Sequence, residues 1–99
     1  VFERYLDPRY SRQLREAALA GWVAAAPDDP RLAARLRELA RDRNLVIRGA
    51  ALAALGSLHR AEDVAFLRAY AVGEPDENLA VAAKDAAATI EAFTKEAKH

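Results

Sequence analysis

The sequence predicts an all-α fold of five main helices, on three observations. Alanine supplies 25 of the 99 residues, while glycine and proline together supply eight; alanine loses the least entropy on entering a helix. Strand formers are sparse, with six valines, two isoleucines and two threonines. Aspartate–proline pairs, an asparagine and a glycine punctuate the chain at spacings that suit ordinary helices.

The first helix is expected after Asp7-Pro8, running to about Ala26. Aspartate caps a helix well, and proline just inside has no N–H to leave unpaired. Asp29-Pro30 repeats the device and opens "RLAARLRELA", with Leu32, Leu36 and Leu39 on one stripe. Asn44 is the expected cap of the third helix, where Ile47, Ala51, Leu55 and Leu58 recur at helical spacing. Ala54 beside them is small enough to admit a neighbouring helix. A fourth helix starts near Ala61, carries Val64, Leu67 and Ala71 along one face, and stops at Gly73 before the loop "GEPDEN". The last runs from about Asn78 to Ala97, with Leu79, Ala83, Ala86, Ala87, Ile90 and Phe93 or Thr94 on its inner face. Loops of about three to six residues make successive helices antiparallel.

Composition bounds the rest. A chain 53% hydrophobic and 30% charged is neither disordered nor membranous. Its longest uncharged runs, Ala17 to Pro27 and Gly49 to His59, hold eleven residues each, short of the roughly 20 that a membrane span needs. The opening "VFERYLDPRY" has no apolar signal core, and the missing initiator methionine points to a processed, excised or trimmed chain. Without cysteine there is no disulfide framework, which suits any compartment and leaves the cytoplasm as the default. The net charge of zero divides into +3 over residues 1–50 (ten bases, seven acids) and −3 over 51–99 (five bases, eight acids).

The sequence repeats. "LREAALAGW" at 14–22 lies over "IRGAALAAL" at 47–55 with an offset of 33, matching Arg15 to Arg48 and Leu19 to Leu52. "ARLRELA" at 34–40 lies over "AFLRAYA" at 65–71 with an offset of 31, matching Leu36 to Leu67 and Arg37 to Arg68. Both helices of a hairpin thus recur at nearly one period. A weaker third copy aligns "DRNL" at 42–45 with "DENL" at 76–79, an offset of 34 that leaves Lys84 as the basic residue. The expected organisation is one domain over 1–99 with units 8–41, 42–75 and 76–97, about two and a half helix pairs. A period in this range marks an α-solenoid.

The stretch "DRNLVIRGAALAALGSLHRAEDVAFL" resembles a HEAT repeat. Asp42, Ile47, Arg48, Ala50, Ala51, Leu52, Leu55 and Gly56 fall on that family's turn aspartate, its Val/Ile-Arg pair and its Ala-Ala-Leu-x-x-Leu-Gly run. The resemblance is good over 42–73, fair over 11–41 and partial over 76–94. It implies a right-handed α-α superhelix, with a ladder between stacked units in which Arg48 pairs with Asp42 or Asp76. Arginine suits such a seam, since its stem tolerates burial and its fork pairs bidentately with a carboxylate. In the first unit Arg9 or Ser11 stands where the aspartate belongs, so the ladder is not expected to reach Arg15. The apolar edge Phe2, Tyr5 and Leu6 is expected to be covered by upstream sequence or a second subunit, or to fold back on Trp22.

Catalytic chemistry finds little footing. His59 and His99 are far apart, and "HRAED" lacks zinc-binding spacing. Ser57 and His59 lie on different helix faces. Glu74, Asp76 and Glu77 lack calcium-loop spacing, and four isolated glycines form no phosphate cradle. No cofactor is expected. The basic cluster Arg31, Arg35, Arg37, Arg41 and Arg43, with Arg68 repeating Arg37, is the best binding candidate. The resemblance implies that the second helix of each pair lines a concave surface, offering Arg31, Arg35, Arg37 and Arg68 to an acidic protein partner. The same arginines also suit the solvated face opposite Leu32, Leu36 and Leu39.

Three functions are therefore expected in order: a non-catalytic interaction or scaffolding module, the C-terminal accessory domain of a gluzincin zinc aminopeptidase, and a nucleic-acid-binding HEAT protein. The second rests on a resemblance in alanine-rich "AAL" helices and "D-x-N-x-x-R"-like turns, and carries over no zinc or catalytic residue. The third is disfavoured by the neutral net charge. Partners are expected to be a protein, an adjacent domain of a parent chain or another copy meeting the exposed terminal units; no membrane is expected.

Overall fold

The computed structural model describes residues 2–97, so His99 lies outside the described residues. Those residues form five α-helices: α1 (Arg12–Ala25), α2 (Pro30–Leu39), α3 (Leu45–Leu58), α4 (Val64–Gly73) and α5 (Glu77–Ala97). Short 3-10 turns at Glu3–Leu6 and Ala61–Asp63 precede α1 and α4, and the described residues contain no strand.

Capping chemistry sets the boundaries. Asp29 caps α2 by accepting the Arg31 N–H, with Pro30 as its first residue, and the Asn44 side chain accepts the N–H groups of Val46 and Ile47 to open α3. The start of α1 differs from the sequence expectation. Asp7 accepts the Arg9 N–H at 2.9 Å and holds a turn, while the Ser11 hydroxyl caps the helix through the Leu14 N–H. The chain must turn there because Leu6 is buried, and its carbonyl is fixed by the Arg15 side chain at 2.9 Å. The opening segment accordingly folds back on α1. A Cβ built on Gly21 would lie 2.6 Å from Cε1 of the Phe2 ring.

Helix α3 lies between α1 and α5, with α2 packed on α3 and α4 packed on α5. The Cα atoms span 43 × 31 × 16 Å. A thickness of 16 Å accommodates about two helix layers at a spacing of roughly 10 Å. One core runs through all five helices, its centre made by Leu32, Leu36, Leu52, Leu55, Leu67, Ala83, Ala87 and Ile90 with no exposed surface. Close approach of α3 to α5 occurs at Gly56 against Ala86, two residues beyond Ala54, the small residue expected to admit a neighbouring helix.

The stretch from Glu74 onward registers on residues 42–73 differently from the "DRNL"/"DENL" alignment. Asp42 and Glu74 each accept the N–H two residues ahead, from Asn44 and Asp76. Asn44 and Asp76 in turn each cap the next helix. Buried Ile47, Ala51, Ala54 and Leu55 correspond to buried Leu79, Ala83, Ala86 and Ala87. The offset is therefore 32, the difference between Asp42 and Glu74, and Ala80 takes the place of Arg48.

Candidate functional site

Four arginines reach forward along the chain to carboxylates. From α1, Arg15 sets its fork on both oxygens of Asp42, Nη1 at 3.3 Å from Oδ1 and Nη2 on Oδ2. From α3, Arg48 places Nη2 on Glu74 Oε1 and Nε 3.3 Å from both the Ala40 carbonyl and the Tyr70 hydroxyl. The Tyr70 oxygen lies 2.7 Å from the Ala40 carbonyl and 2.5 Å from Glu74 Oε1, so one proton serves two acceptors. From α2, Arg37 donates to Asp63 Oδ1 at 2.7 Å; from α4, Arg68 donates to Glu91 on α5. Arg15 and Arg48 share one further habit, since each Nε also holds a carbonyl at the end of the preceding helical segment, Leu6 or Ala40.

Two expectations need correction. Arg48 pairs with neither Asp42 nor Asp76, because Asp42 is taken by Arg15 and Asp76 caps α5. Glutamate, one methylene longer than aspartate, makes the Arg48 pair from the first position of the "EPD" turn. The seam also does reach Arg15. Its carboxylate comes from the following turn, so the absence of an acid near Ser11 is immaterial.

The candidate binding arginines do not form one free patch. Arg31 pairs with Asp29, the cap of its own helix, at 3.1 Å, and Arg35 pairs with Glu38 at 2.6 Å. Arg37 and Arg68 are turned sideways toward the next helices by Asp63 and Glu91. Asp63 is fully buried, and its second oxygen, 3.8 Å from the Arg60 Nε, makes no hydrogen bond among the described residues. Arg41 and Arg43 are exposed and form no ion pair among the described residues.

Ser57, His59, Asp85 and Thr89 border a groove of about 520 Å³ between α3 and α5, otherwise lined by Ala53, Gly56, Ala82 and Ala86. The Ser57 and Thr89 hydroxyls donate to carbonyls of their own helices, Ala54 and Asp85. His59, in the left-handed conformation that ends α3 (φ 54°), stacks its ring on Phe93 with centroids 4.1 Å apart. Among the described residues no three His, Asp or Glu side chains converge as metal ligands would. No described helix is long and apolar enough to cross a membrane.

Both seam carboxylates ionise below their ordinary range. For Glu74 the hydrogen bond from Tyr70 leads, and with the Asp76 N–H and Arg48 it outweighs burial. For Asp42 burial pulls upward, and the Arg15 fork and the Asn44 N–H together override it. Burial, followed by the bond to Glu74, raises Tyr70. A lowered carboxylate contributes stability that is complete above its unfolded value, near 4, and lost as pH falls through the lower folded value. Thermal melts followed by circular dichroism are expected to hold level from neutrality to about pH 5 and to fall steeply below about pH 4. Asp42→Asn, with a lower plateau, is expected to show a shallower acid decline.

Compared with family models, with curated proteins and with solved structures, the chain matches none.

Proposed function

We propose that this chain is a non-catalytic interaction module, built as a HEAT-like α-solenoid of about two and a half right-handed helix pairs. The observation that carries this reading is the set of four arginines, each reaching 23 to 27 residues forward to a carboxylate. Links of nearly constant span are what a stack needs, since each unit meets only its neighbours. The thin slab and the row α1, α3, α5 agree with stacking. Arg37 and Arg68 act in this reading as rungs of a second seam, while Arg31 and Arg35, paired only within α2 and its cap, keep the capacity to exchange those partners for a ligand's. The partner is a protein or a neighbouring domain. The aminopeptidase-accessory and nucleic-acid readings draw on the resemblance alone.

A stack tolerates an added unit where a closed bundle does not. Inserting a second copy of residues 42–73 directly after Gly73 leaves both copies of Arg48 a carboxylate: the first Arg48 meets the new Asp42, and the new Arg48 meets Glu74. The expanded chain should keep its helicity per residue, melt at a higher temperature and lengthen along one axis in small-angle X-ray scattering. A lower melting temperature or a swollen, disordered profile would refute the stacked reading.

A further inference from the structure

We propose that a pocket beneath Arg41 binds a carboxylate presented by an acidic protein segment. The proposal rests on the interaction-module reading and names the partner chemistry. The pocket, of about 180 Å³, lies where the α2–α3 and α4–α5 turns meet, bounded by Arg41, Arg48, Ala69, Tyr70, Gly73, Glu74 and Pro75. That is roughly six water volumes, the scale of one acidic side chain or a chain terminus.

Its construction favours a monoanion. The Arg41 guanidinium sits 5.7 Å from the ring centres of both Phe66 and Tyr70, a range in which the aromatic faces attract it. Tyr70 is itself fixed through its hydroxyl by Ala40 and Glu74. Arg41 is therefore held on an aromatic shelf while remaining exposed, and it has no carboxylate of its own among the described residues. Below it, Arg48 spends Nε and Nη2 on seam contacts and keeps Nη1 without a hydrogen bond among the described residues. Arg48 and Glu74 neutralise one another, so the pocket carries one net positive charge, supplied by Arg41.

One net positive charge, a planar fork and apolar walls at Ala69, Gly73 and Pro75 fit a carboxylate, which guanidinium groups pair in two parallel hydrogen bonds. A phosphate dianion would remain half-neutralised. An extended nucleic-acid backbone asks for a continuous basic track, and the seams have already consumed Arg15, Arg37, Arg48 and Arg68.

The test is fluorescence-anisotropy titration of a labelled hexaglutamate peptide against the whole chain. Arg41→Ala is expected to weaken binding about tenfold, the scale of losing a bidentate charged contact. Arg43→Ala, equally exposed but outside the pocket, should change it by no more than about twofold. Gly73→Leu is the steric arm: Gly73 lines the pocket and a Cβ there meets nothing within 4 Å, so leucine adds bulk at the pocket wall without a clash or a change of charge and is also expected to cost about tenfold. Arg41→Lys keeps the charge and loses the fork, and an affinity nearer to alanine than to arginine is expected. Equal losses from Arg41→Ala and Arg43→Ala, indifference to Gly73→Leu, no peptide binding at all, or tighter binding of a single-stranded oligonucleotide or inorganic phosphate would each overturn the proposal. The insertion experiment above is independent of all these outcomes, so a failed pocket and a failed stack are told apart.

Discussion

Arg15→Ala is expected to lower the unfolding free energy by about 3 kcal/mol, because it strands a part-buried carboxylate and a buried carbonyl together. The Arg15 side chain is 6% exposed and Asp42 13%. All three donor positions of the fork are engaged, two on Asp42 and Nε on Leu6. Alanine removes the donors and leaves the acceptors in place, whereas the intact pair had already met its desolvation cost. For a domain of this size the loss is a large part of the total stability and lowers the melting temperature by about 15 °C. Arg68→Ala is the matched control. It breaks a pair of the same forward-reaching kind, but Arg68 and Glu91 are 48% and 53% exposed, so a cost below about 1 kcal/mol is expected. Replacing both seam groups, as Arg15→Met with Asp42→Leu, should recover much of the loss by exchanging a buried pair for apolar packing. Urea denaturation of the three variants beside the unaltered chain measures the series. Equal costs for Arg15→Ala and Arg68→Ala would mean that burial at the seam contributes nothing.

What the sequence shows and what it hides follow from the range of each interaction. The starts of α2 and α3 are legible because a cap acts over two or three residues, and Asp29 and Asn44 sit beside the donors they satisfy. The core stripes are legible because helical period is a local property, and Leu32, Leu36, Leu55 and Ile90 all fall inside as spaced. The seams are not local. An arginine on one helix gives no sign whether its carboxylate lies upstream or 26 residues ahead, so Arg48 is assigned to Asp42 or Asp76 when Glu74 holds it. Identity matching of "DRNL" to "DENL" misleads for a related reason, since the turn preserves the function of "DRN" in the different letters "EPD". The basic cluster fails as a single patch because a helical wheel reports which way a side chain leaves its own helix and not what stands there. Asp63, which receives Arg37, is visible in sequence only as an acid near His59. That Arg41, like Arg43, is left without a carboxylate among the described residues, and that it alone of the two lies over the Phe66 and Tyr70 rings, emerges after every other pairing is assigned.

Gly56 sits in the interior of α3, where glycine costs about 1 kcal/mol relative to alanine, and that local penalty has a tertiary cause. A Cβ at Gly56 would lie 3.0 Å from the Cβ of Ala86 and 3.1 Å from its Cα. Neither atom can rotate away, since the Cα belongs to the backbone of α5. Gly56→Ala is therefore expected to change stability by less than about 1 kcal/mol, the helix-propensity gain offsetting a small forced separation. Gly56→Leu cannot be housed without prising α3 from α5, and should cost about 3 kcal/mol. The other glycines separate this effect from a general intolerance of side chains. At Gly21 the obstructing atoms belong to the Phe2 ring, 36% exposed and free to swing outward, so Gly21→Ala should be neutral or mildly stabilising. At Gly73 nothing stands in the way, and Gly73→Leu should leave the fold intact. Chemical denaturation of these four variants ranks the sites, and a Gly56→Leu chain as stable as Gly73→Leu would show that α3 and α5 do not meet at Ala86.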